Sequence, residues 1–402
     1  MHHLLIVSNM HKRLVTYKFK LKPATEQKEK FGQWLGVCRL IYNLALDIKI
    51  QSYKKTGKSV SKNELQTQVK ELSKEYDWIN LVHSQVRQDP LVRLERTYAN
   101  FFNGAGFPKF AKKHRYVSFT FPQGVKISDT HIIFPKIGKV KFYKGKRSID
   151  NPKVKQATIK QEVTGWFVSV LIEKSVEALP VSANKTGIDL GIAKFATTSS
   201  GEAIDNPRYY QKYLNKLSRA QRKVARRKKG SNRRKKAVIQ LKKVHQKIKN
   251  CRKDFLHKLS TRLINENQVI AVEDLKFSNM TKSAKGTLES PGKNVKQKSG
   301  LNKSMLDLGG HSFFTMLKYK ADWYGRQFVK VDPKYTSQTC CICGNVSKEN
   351  RKTQAFFQCV SCGLELNADH NAAINILGRA CPSGGIKGIG PEPEKRTLYS
   401  LN

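Results

Sequence analysis

Residues 185–204 read "KTGIDLGIAKFATTSSGEAI" and set the architecture expected for this chain. Apolar residues lie on both sides of Asp189, and the pattern predicts a strand followed by a hairpin that turns near Ser200 and Gly201. Acids are the scarce charge here, because the 402 residues include 76 Lys and Arg but only 30 Asp and Glu. An acid at the centre of an apolar strand therefore calls for a functional explanation.

The charge balance limits the possible partners. The net charge is +46 and the pI is about 10.1, and such an excess favours a polyanion, either nucleic acid or an acidic membrane surface. No apolar run approaches the roughly 18 residues needed to cross a bilayer, and the apolar patch near the start is too short for a signal-peptide core. We therefore expect a cytoplasmic, nucleoid-associated protein without a membrane partner, whose eight cysteines are reduced.

The first half of the chain predicts a β-rich module interrupted by helices. Alternating apolar residues over 15–23 indicate a half-buried strand, and helical spacing follows over 25–56, 61–76 and 82–104. Strand patterns return over 115–176, with two hairpins, the second turning at Thr164 and Gly165.

The most basic stretch, residues 212–258, holds 20 Lys or Arg and a single acid. Apolar residues keep helical spacing on both sides of a break at 230–232, which predicts a pair of amphipathic helices. A solvated face is the ordinary interpretation of a charge run, but this one has a single sign, which favours contact with a nucleic-acid backbone. The side chains chosen for this contact are Arg226, Arg227, Lys228, Arg233 and Arg234.

Further along the chain, a nearly continuous apolar run over 268–272 indicates a buried central strand that ends at Glu273. The polar segment 281–303 is typical of a loop. A helix is expected over 304–325 and a strand over 327–333.

Two cysteine pairs follow. Cys340 and Cys343 form one CxxC, fifteen residues separate it from the next, and Cys359 and Cys362 form the second. This spacing is typical of a zinc ribbon, in which four thiolates fill all positions of one structural Zn²⁺. The alternative is reduced or redox-active cysteines.

A third acid, Asp369, lies in the first turn of a helix predicted from "NADHNAAINILG". Taken singly, each acid has an ordinary structural interpretation, for Asp369 as a helix N-cap. Taken together, an acid in a first strand, one at the end of a later central strand and one on a C-terminal helix follow the order of an RNase H-like fold. Three close carboxylates repel one another, and Mg²⁺ or Mn²⁺ relieves the repulsion. Two such ions about 4 Å apart would act on a phosphodiester.

Several segments resemble one family. They are "GIDLGIAKFAT", "VIAVEDLKFSNM", "SQTCCICG", "FQCVSCG" and "ADHNAAINIL". Their order and spacing resemble TnpB, the RNA-guided DNA nuclease of bacterial insertion sequences and a relative of the type V CRISPR effectors. The resemblance covers nearly the whole chain.

The resemblance implies a multidomain α+β protein. Its expected parts are a wedge-like β-barrel (1–22 and 105–183), a helical recognition lobe (23–104), an RNase H-like (RuvC) nuclease domain (184–334 and 365–402) and a zinc-ribbon insertion (335–364). It also implies Asp189, Glu273 and Asp369 as catalytic ligands of two Mg²⁺ or Mn²⁺ ions.

The same resemblance implies partners. A monomer would bind one transposon-derived guide RNA and cleave double-stranded target DNA next to a short target-adjacent motif. The positions corresponding to motif-reading residues are Lys62, Ser84, Gln88 and Gln123. Two alternatives stay open: a DDE-type transposase, whose acids typically run Asp, Asp, Glu, and an RNA-guided repressor that binds DNA without cutting it.

Overall fold

A computed structural model describes residues 10–145 and 152–382. The chain divides into two compact units, an N-terminal unit over Lys12–Ser175 and a C-terminal unit that begins at Val176. Among the described residues, no helix is both long and apolar enough to span a membrane.

The N-terminal unit contains seven strands: β1 (Met10–Lys22), β2 (Ser118–Phe121), β3 (Lys126–Ile127), β4 (His131–Phe134), β5 (Gly138–Tyr143), β6 (Val154–Glu162) and β7 (Gly165–Glu177). They form one sheet in the order β2-β6-β7-β1-β5-β4-β3, with β2 and β3 at its edges. Both predicted hairpins are present, as β4–β5 and β6–β7. The second turns at Val163 and Thr164, one residue earlier than predicted, because Glu162 pairs with Gly165.

Four helices follow β1: α1 (Thr25–Thr56), α2 (Lys62–Glu75), α3 (Asp77–Asn80) and α4 (Ser84–Phe102). The helices predicted over 25–56, 61–76 and 82–104 are thereby confirmed. The apolar face of α1 packs on the sheet, with the Phe31 ring 4.9 Å from the Trp166 ring and the Trp34 ring 5.7 Å from that of Phe121.

The C-terminal unit has a five-stranded sheet in the order β10-β9-β8-β11-β12. Its strands are β8 (Lys185–Leu190), β9 (Lys194–Thr198), β10 (Ala203–Asp205), β11 (Val269–Glu273) and β12 (Gln327–Val331). Strands β8, β9 and β10 form an antiparallel meander, while β11 runs parallel to both β8 and β12. The first four residues of β11 are buried, as expected for a central parallel strand.

The helices described in this unit are α5 (Tyr209–Lys212), α6 (Leu214–Ala225), α7 (Asn232–Glu266), α8 (Phe277–Met280), α9 (Val295–Leu308), α10 (Gly310–Tyr324) and α11 (Ala368–Ala380). Helices α10 and α11 contact the sheet directly. The predicted basic helix pair is confirmed as α6 and α7, which pack together. The Phe195 ring of β9 joins the core between Phe255 of α7 and Phe313 of α10, at 5.0 and 5.2 Å.

One sequence prediction is wrong. The segment predicted as a loop over 281–303 includes the first half of α9, and the helix predicted over 304–325 is divided at Gly309. Gly309 has φ 71° and ends α9 in the left-handed region, which favours glycine. Helix α9 buries only Leu308 among its residues, and only Val295 and Leu301 are apolar over 295–303, so this half of the helix has no apolar face that the sequence could reveal.

Candidate active site and zinc site

Strand register places the first two acids side by side. Ile188 of β8 pairs with Val272 of β11 in a parallel ladder, so Asp189 and Glu273 are the next residues along neighbouring strands. Adjacent strands lie about 4.8 Å apart, and residues at equal positions face the same side of the sheet. Two acids 84 positions apart in the sequence therefore share one end of the sheet.

Gly187 allows helix α11 to lie directly on β8. A Cβ atom at Gly187 would lie 2.1 Å from the Ala373 carbonyl oxygen and 2.7 Å from the Leu377 nitrogen, so any side chain here would push the helix away. Asp369 lies one turn before Ala373 in α11, and Asp189 lies two residues after Gly187 in β8. The first turn of α11, which carries Asp369, consequently reaches the same end of the sheet.

A second contact orients the start of α11. The Nε2 atom of His370 lies 3.2 Å from the carbonyl oxygen of Ser199, and its ring packs over Gly201 at the predicted hairpin turn. Asn367 is the N-cap, since its side chain accepts hydrogen bonds from the N–H groups of Asp369 and His370. Asp369 is therefore not the cap, and its carboxylate is available for another role.

The three acids influence one another electrostatically. Burial, and then the charges of Glu273 and Asp369, raise the pKa of Asp189 from 3.8 to about 7. Burial also raises the pKa of Glu273 and the pKa of Asp369. Because the raised pKa values mean that the ionised carboxylates are unfavourable, a bound cation would stabilise the ionised form of this site.

Arg351 is a neighbour that the sequence analysis missed. Its Nη2 atom lies 3.8 Å from Asp369 Oδ1, and its charge lowers the pKa of both Asp189 and Asp369. No sequence signal distinguishes this arginine, because Lys and Arg are abundant throughout the chain.

Thr336, also missed, donates a hydrogen bond from Oγ1 to Glu273 Oε1 at 2.5 Å. This bond lowers the pKa of Glu273, against the larger effect of burial. It occupies one carboxylate oxygen and leaves the other free.

The donor set at this site fits a hard divalent cation. Three carboxylates supply oxygen ligands, which Mg²⁺ and Mn²⁺ prefer. Two cations offset part of their repulsion, since Arg351 lowers the pKa of Asp189 and Asp369 and Arg379 lowers the pKa of Glu273. The carboxylate oxygens of the three acids are not all within 4.8 Å of one another. Among the described residues, that criterion is met by the four cysteines described next.

The four predicted zinc ligands come together. Their sulfur atoms lie within 4.8 Å of one another, with Cys340 and Cys362 at 3.6 Å and Cys343 and Cys359 at 3.5 Å. Tetrahedral zinc with Zn–S bonds of about 2.3 Å would separate its sulfurs by about 3.8 Å, so the group fits the ion. Cys341 lies outside the group, as do the remaining three cysteines.

Backbone turns shape both knuckles alike. Gly344 and Gly363 each have φ 73°, and their N–H groups donate to the carbonyl oxygens of Cys340 and Cys359, respectively. A hydrogen bond from the N–H of Cys362 lowers the pKa of the Cys359 thiol to about 6, which favours the thiolate that binds a metal. Strands β13 (Phe356–Gln358) and β14 (Glu365–Asn367) pair after a 3₁₀ turn (Lys348–Asn350) and connect the second knuckle to α11.

The predicted nucleic-acid contacts fall into two places. Arg226 and Arg227 line a groove on α6 with Arg219, Arg222 and Lys223, while Lys228 and Arg233 are exposed nearby. Arg234 differs, since its Nη1 atom donates to the carbonyl oxygens of Val224 and Arg227 and so stabilises the turn between α6 and α7.

In the N-terminal unit, Ser84 and Gln88 line a cleft of about 650 Å³ between α2 and α4. Lys62, the first residue of α2, and Gln123, between β2 and β3, are not among the lining residues. The structure thus brings two of the four predicted motif-reading residues together. Arg87 lies in the same cleft, where its Nη1 atom donates to Ser73 and Asn80.

Three family profiles match the chain. One, OrfB_IS605, is described as "Probable transposase" and matches residues 167–284. A second, described as the TNB domain of Cas12f1-like proteins, matches residues 311–376. The third, described as a helix-turn-helix domain, matches residues 10–58. In the structure, that span is the strand β1 followed by the single helix α1, and not two helices joined by a turn.

Relatives match over most of the chain. It is 39% identical to "Putative RNA-guided DNA endonuclease InsQ" of Escherichia coli (strain K12), across 91% of this chain and 92% of that protein. It is 31% identical to a protein of Streptomyces pristinaespiralis with a corresponding name, across 94% and 92% of the two chains. It is also 29% identical to the CRISPR-associated endodeoxyribonuclease Cas12f1 of Sulfoacidibacillus thermotolerans, across 52% and 49% of the two chains.

One solved structure shares the fold. A Cas12f1 chain, in a complex with guide RNA and target DNA, superposes with a TM-score of 0.57 at 12% identity, covering 92% of this chain and 99% of that one.

Proposed function

This chain belongs to the TnpB family, and from that premise we propose that it is an RNA-guided DNA endonuclease whose cutting site is formed by Asp189, Glu273 and Asp369. The observation that supports the proposal most is that these acids, from β8, β11 and α11, lie at the same end of one sheet. The charges of Glu273 and Asp369 both contribute to the raised pKa of Asp189, which supports the grouping. Nothing in fold stability favours such a group of like charges.

We propose an RNase H-like (RuvC) domain over 184–334 and 365–402. An antiparallel meander β8–β9–β10 followed by two parallel strands supports it, because this is the strand order of that fold with acids at the expected places. The remaining domains are proposed as the wedge (1–22 and 105–183), the recognition lobe (23–104) and the zinc-ribbon insertion (335–364). The wedge was expected to be a barrel. Its seven strands form one sheet in which the edge strands β2 and β3 are not hydrogen-bonded to each other, so the hydrogen-bonding does not close it into a barrel.

The carboxylates would hold two Mg²⁺ or Mn²⁺ ions. When bound, these ions supply positive charge beside the attacking and leaving oxygens of a phosphodiester. Asp189, half-buried at the end of β8, would be a ligand of these ions, with Glu273 and Asp369 as the other two protein ligands. Arg351 favours the ionised carboxylates by lowering the pKa of Asp189 and Asp369.

The nucleic-acid partners are assigned by charge and shape. We propose that α6 and α7 hold the backbone of a guide RNA or its duplex with the target, since their basic side chains are largely exposed. The cleft containing Ser84 and Gln88 would contact the target-adjacent motif in duplex DNA. We propose a monomer on one guide RNA as the acting species, in the cytoplasm.

The decisive experiment purifies the chain from its native locus, sequences the RNA bound to it and supplies a target matching that RNA. We expect divalent-metal-dependent cleavage by the wild type. Asp189→Ala should keep RNA and target binding and lose cleavage, while the exposed Asp205→Ala should cleave normally. Full cleavage by Asp189→Ala would place the site elsewhere. DNA strand transfer without RNA would support the transposase, and absence of cleavage by an RNA-loaded wild type would support the repressor.

A further inference from the structure

The first residues of the zinc-ribbon insertion, shortly after β12, form part of the first zinc knuckle and also contact an acid of the cutting site. This segment, residues 336–341 and hereafter the brace, begins at Thr336 and contains the first zinc-ligand candidate, Cys340. Thr336 is 3% exposed, so its hydroxyl has no access to bulk water as an alternative partner. That hydroxyl has one proton and two acceptors within reach, of which Glu273 Oε1 at 2.5 Å is nearer than the Pro333 carbonyl oxygen at 3.1 Å.

Two asparagines of α11 hold the brace in place. The Asn375 side-chain amide donates to the carbonyl oxygens of Thr336 at 2.9 Å and Thr339 at 2.7 Å. One turn earlier, Asn371 donates to the Thr339 carbonyl at 2.8 Å and accepts from the N–H of Cys341 at 3.0 Å. Residues four apart lie on the same face of a helix, so both side-chain amides can bind the brace at the same time.

These bonds connect parts of the site that are far apart in the sequence. Asn371 is fully buried, and its two hydrogen bonds join α11 to the backbone inside the first zinc knuckle. The helix that carries Asp369 and the hydroxyl that holds Glu273 are thereby attached to the same six residues.

Resting on the function proposed above, we propose that the brace lets the zinc ribbon position Glu273, with Thr336 as the positioning residue. A glutamate beside like charges has rotamers that turn its carboxylate away from them. The Thr336 hydroxyl opposes this by fixing one oxygen, and the second oxygen then faces the other two acids. Zinc binding orders the knuckle, and the asparagines transmit that order to Thr336.

The test compares Thr336→Val with Thr336→Ser. Valine keeps the branched shape and removes the donor, whereas serine keeps the donor. We expect Thr336→Val to raise the Mg²⁺ concentration for half-maximal cleavage, or to lower the cleavage rate, by roughly 10- to 100-fold, as is typical when a group that orients a metal ligand is removed. Thr336→Ser should stay within about threefold of the wild type.

Three further measurements separate positioning from general damage. Zinc content and guided target binding without Mg²⁺ should be unchanged in Thr336→Val. The rise in melting temperature on adding Mn²⁺, measured relative to Asp189→Ala as the baseline, should be smaller than in the wild type. Thr315→Val, which removes a hydroxyl that donates only within α10, should match the wild type throughout.

The hydrogen bonds between α11 and the brace have their own test. Asn375→Leu removes both amide bonds to the brace and leaves Thr336 and Glu273 intact, so it should reproduce the Mg²⁺ shift; it also keeps the proposal testable if Thr336→Val does not fold. The effects of Asn375→Leu and Thr336→Val should be less than additive, since both act through one hydrogen bond.

Failure can be assigned to one proposal or the other. An Asp189→Ala protein that still cleaves overturns the proposed cutting site. An inactive Asp189→Ala beside a Thr336→Val with wild-type cleavage and Mn²⁺ response overturns the positioning role alone. Full additivity of Asn375→Leu and Thr336→Val overturns the claim that α11 holds Thr336 in place through the brace.

Discussion

Replacing Asp189 by Asn should inactivate the protein and at the same time stabilise its Mg²⁺-free form. Asp189 is half-buried beside two other acids, and burial together with their charges raises its pKa from 3.8 to about 7. At 1.36 kcal/mol per pH unit, ionising this group in the folded protein costs about 4 kcal/mol. An amide of the same shape carries no charge and removes that cost.

The pH dependence gives this prediction its sign. Because the folded pKa lies above the unfolded value, the stability contributed by the protonated acid is full below pH 4 and is lost as pH rises to about 7. The advantage of Asp189→Asn over the wild type should therefore be about 1.6 kcal/mol at pH 5 and about 4 kcal/mol at pH 8. For a unit of about 200 residues, the pH 8 value corresponds to a rise in melting temperature on the order of 10 °C.

The assay is thermal unfolding in buffer without Mg²⁺ and without chelator, so that zinc is retained, at pH 5 and pH 8. Asp205→Asn is the matched control, because Asp205 is an exposed acid paired with Lys194 in the same unit. It should leave the melting temperature nearly unchanged. An Asp189→Asn protein that melts no higher than the wild type at pH 8, or that gains equally at both pH values, would refute the electrostatic reasoning.

Three other changes probe separate parts of the structure. Cys343→Ser should reduce zinc from one equivalent to near zero by metal analysis and lower the melting temperature, because a structural zinc site contributes directly to folding. Gly187→Ala should abolish cleavage and lower the melting temperature by several degrees, since its Cβ would meet the Ala373 carbonyl oxygen at 2.1 Å. Arg222→Gln with Arg226→Gln should weaken RNA binding and reduce the slope of log affinity against log salt by up to about 2, provided each contacts one phosphate.

Each of these has a contrary result. Full zinc content in Cys343→Ser would remove that thiol from the ligand set. Wild-type cleavage by Gly187→Ala would mean that α11 can move from β8 without disturbing Asp369. An unchanged salt slope in the double arginine variant would place the RNA contacts away from the groove on α6.

Much of the site was accessible from the sequence because its signals are local. The CxxC spacing identified four cysteines, and the structure gathers their sulfur atoms into one cluster. Apolar runs marked β8 and β11 and with them Asp189 and Glu273, and the structure places these acids at neighbouring positions. Their catalytic role and the two-ion chemistry stay predictions.

Local patterns failed where an element has no periodic apolar face. Residues 295–303 of α9 were predicted as part of a loop because only Val295 and Leu301 among them are apolar, and the whole helix buries only Leu308. The motif-reading set was also only partly brought together, since Ser84 and Gln88 share a cleft that Lys62 and Gln123 do not line.

The amino-acid order alone determined the basic charge, the zinc-type spacing and which strands carry acids, because each depends on residues close together in the chain. Tertiary structure alone decided that Gly187 admits α11, that Arg351 faces Asp369 and that Thr336 holds Glu273. These contacts join residues between 18 and 186 positions apart in the chain. Such pairs meet only through strand register and helix packing, and no periodicity in the sequence encodes which residue will face which across a packed sheet.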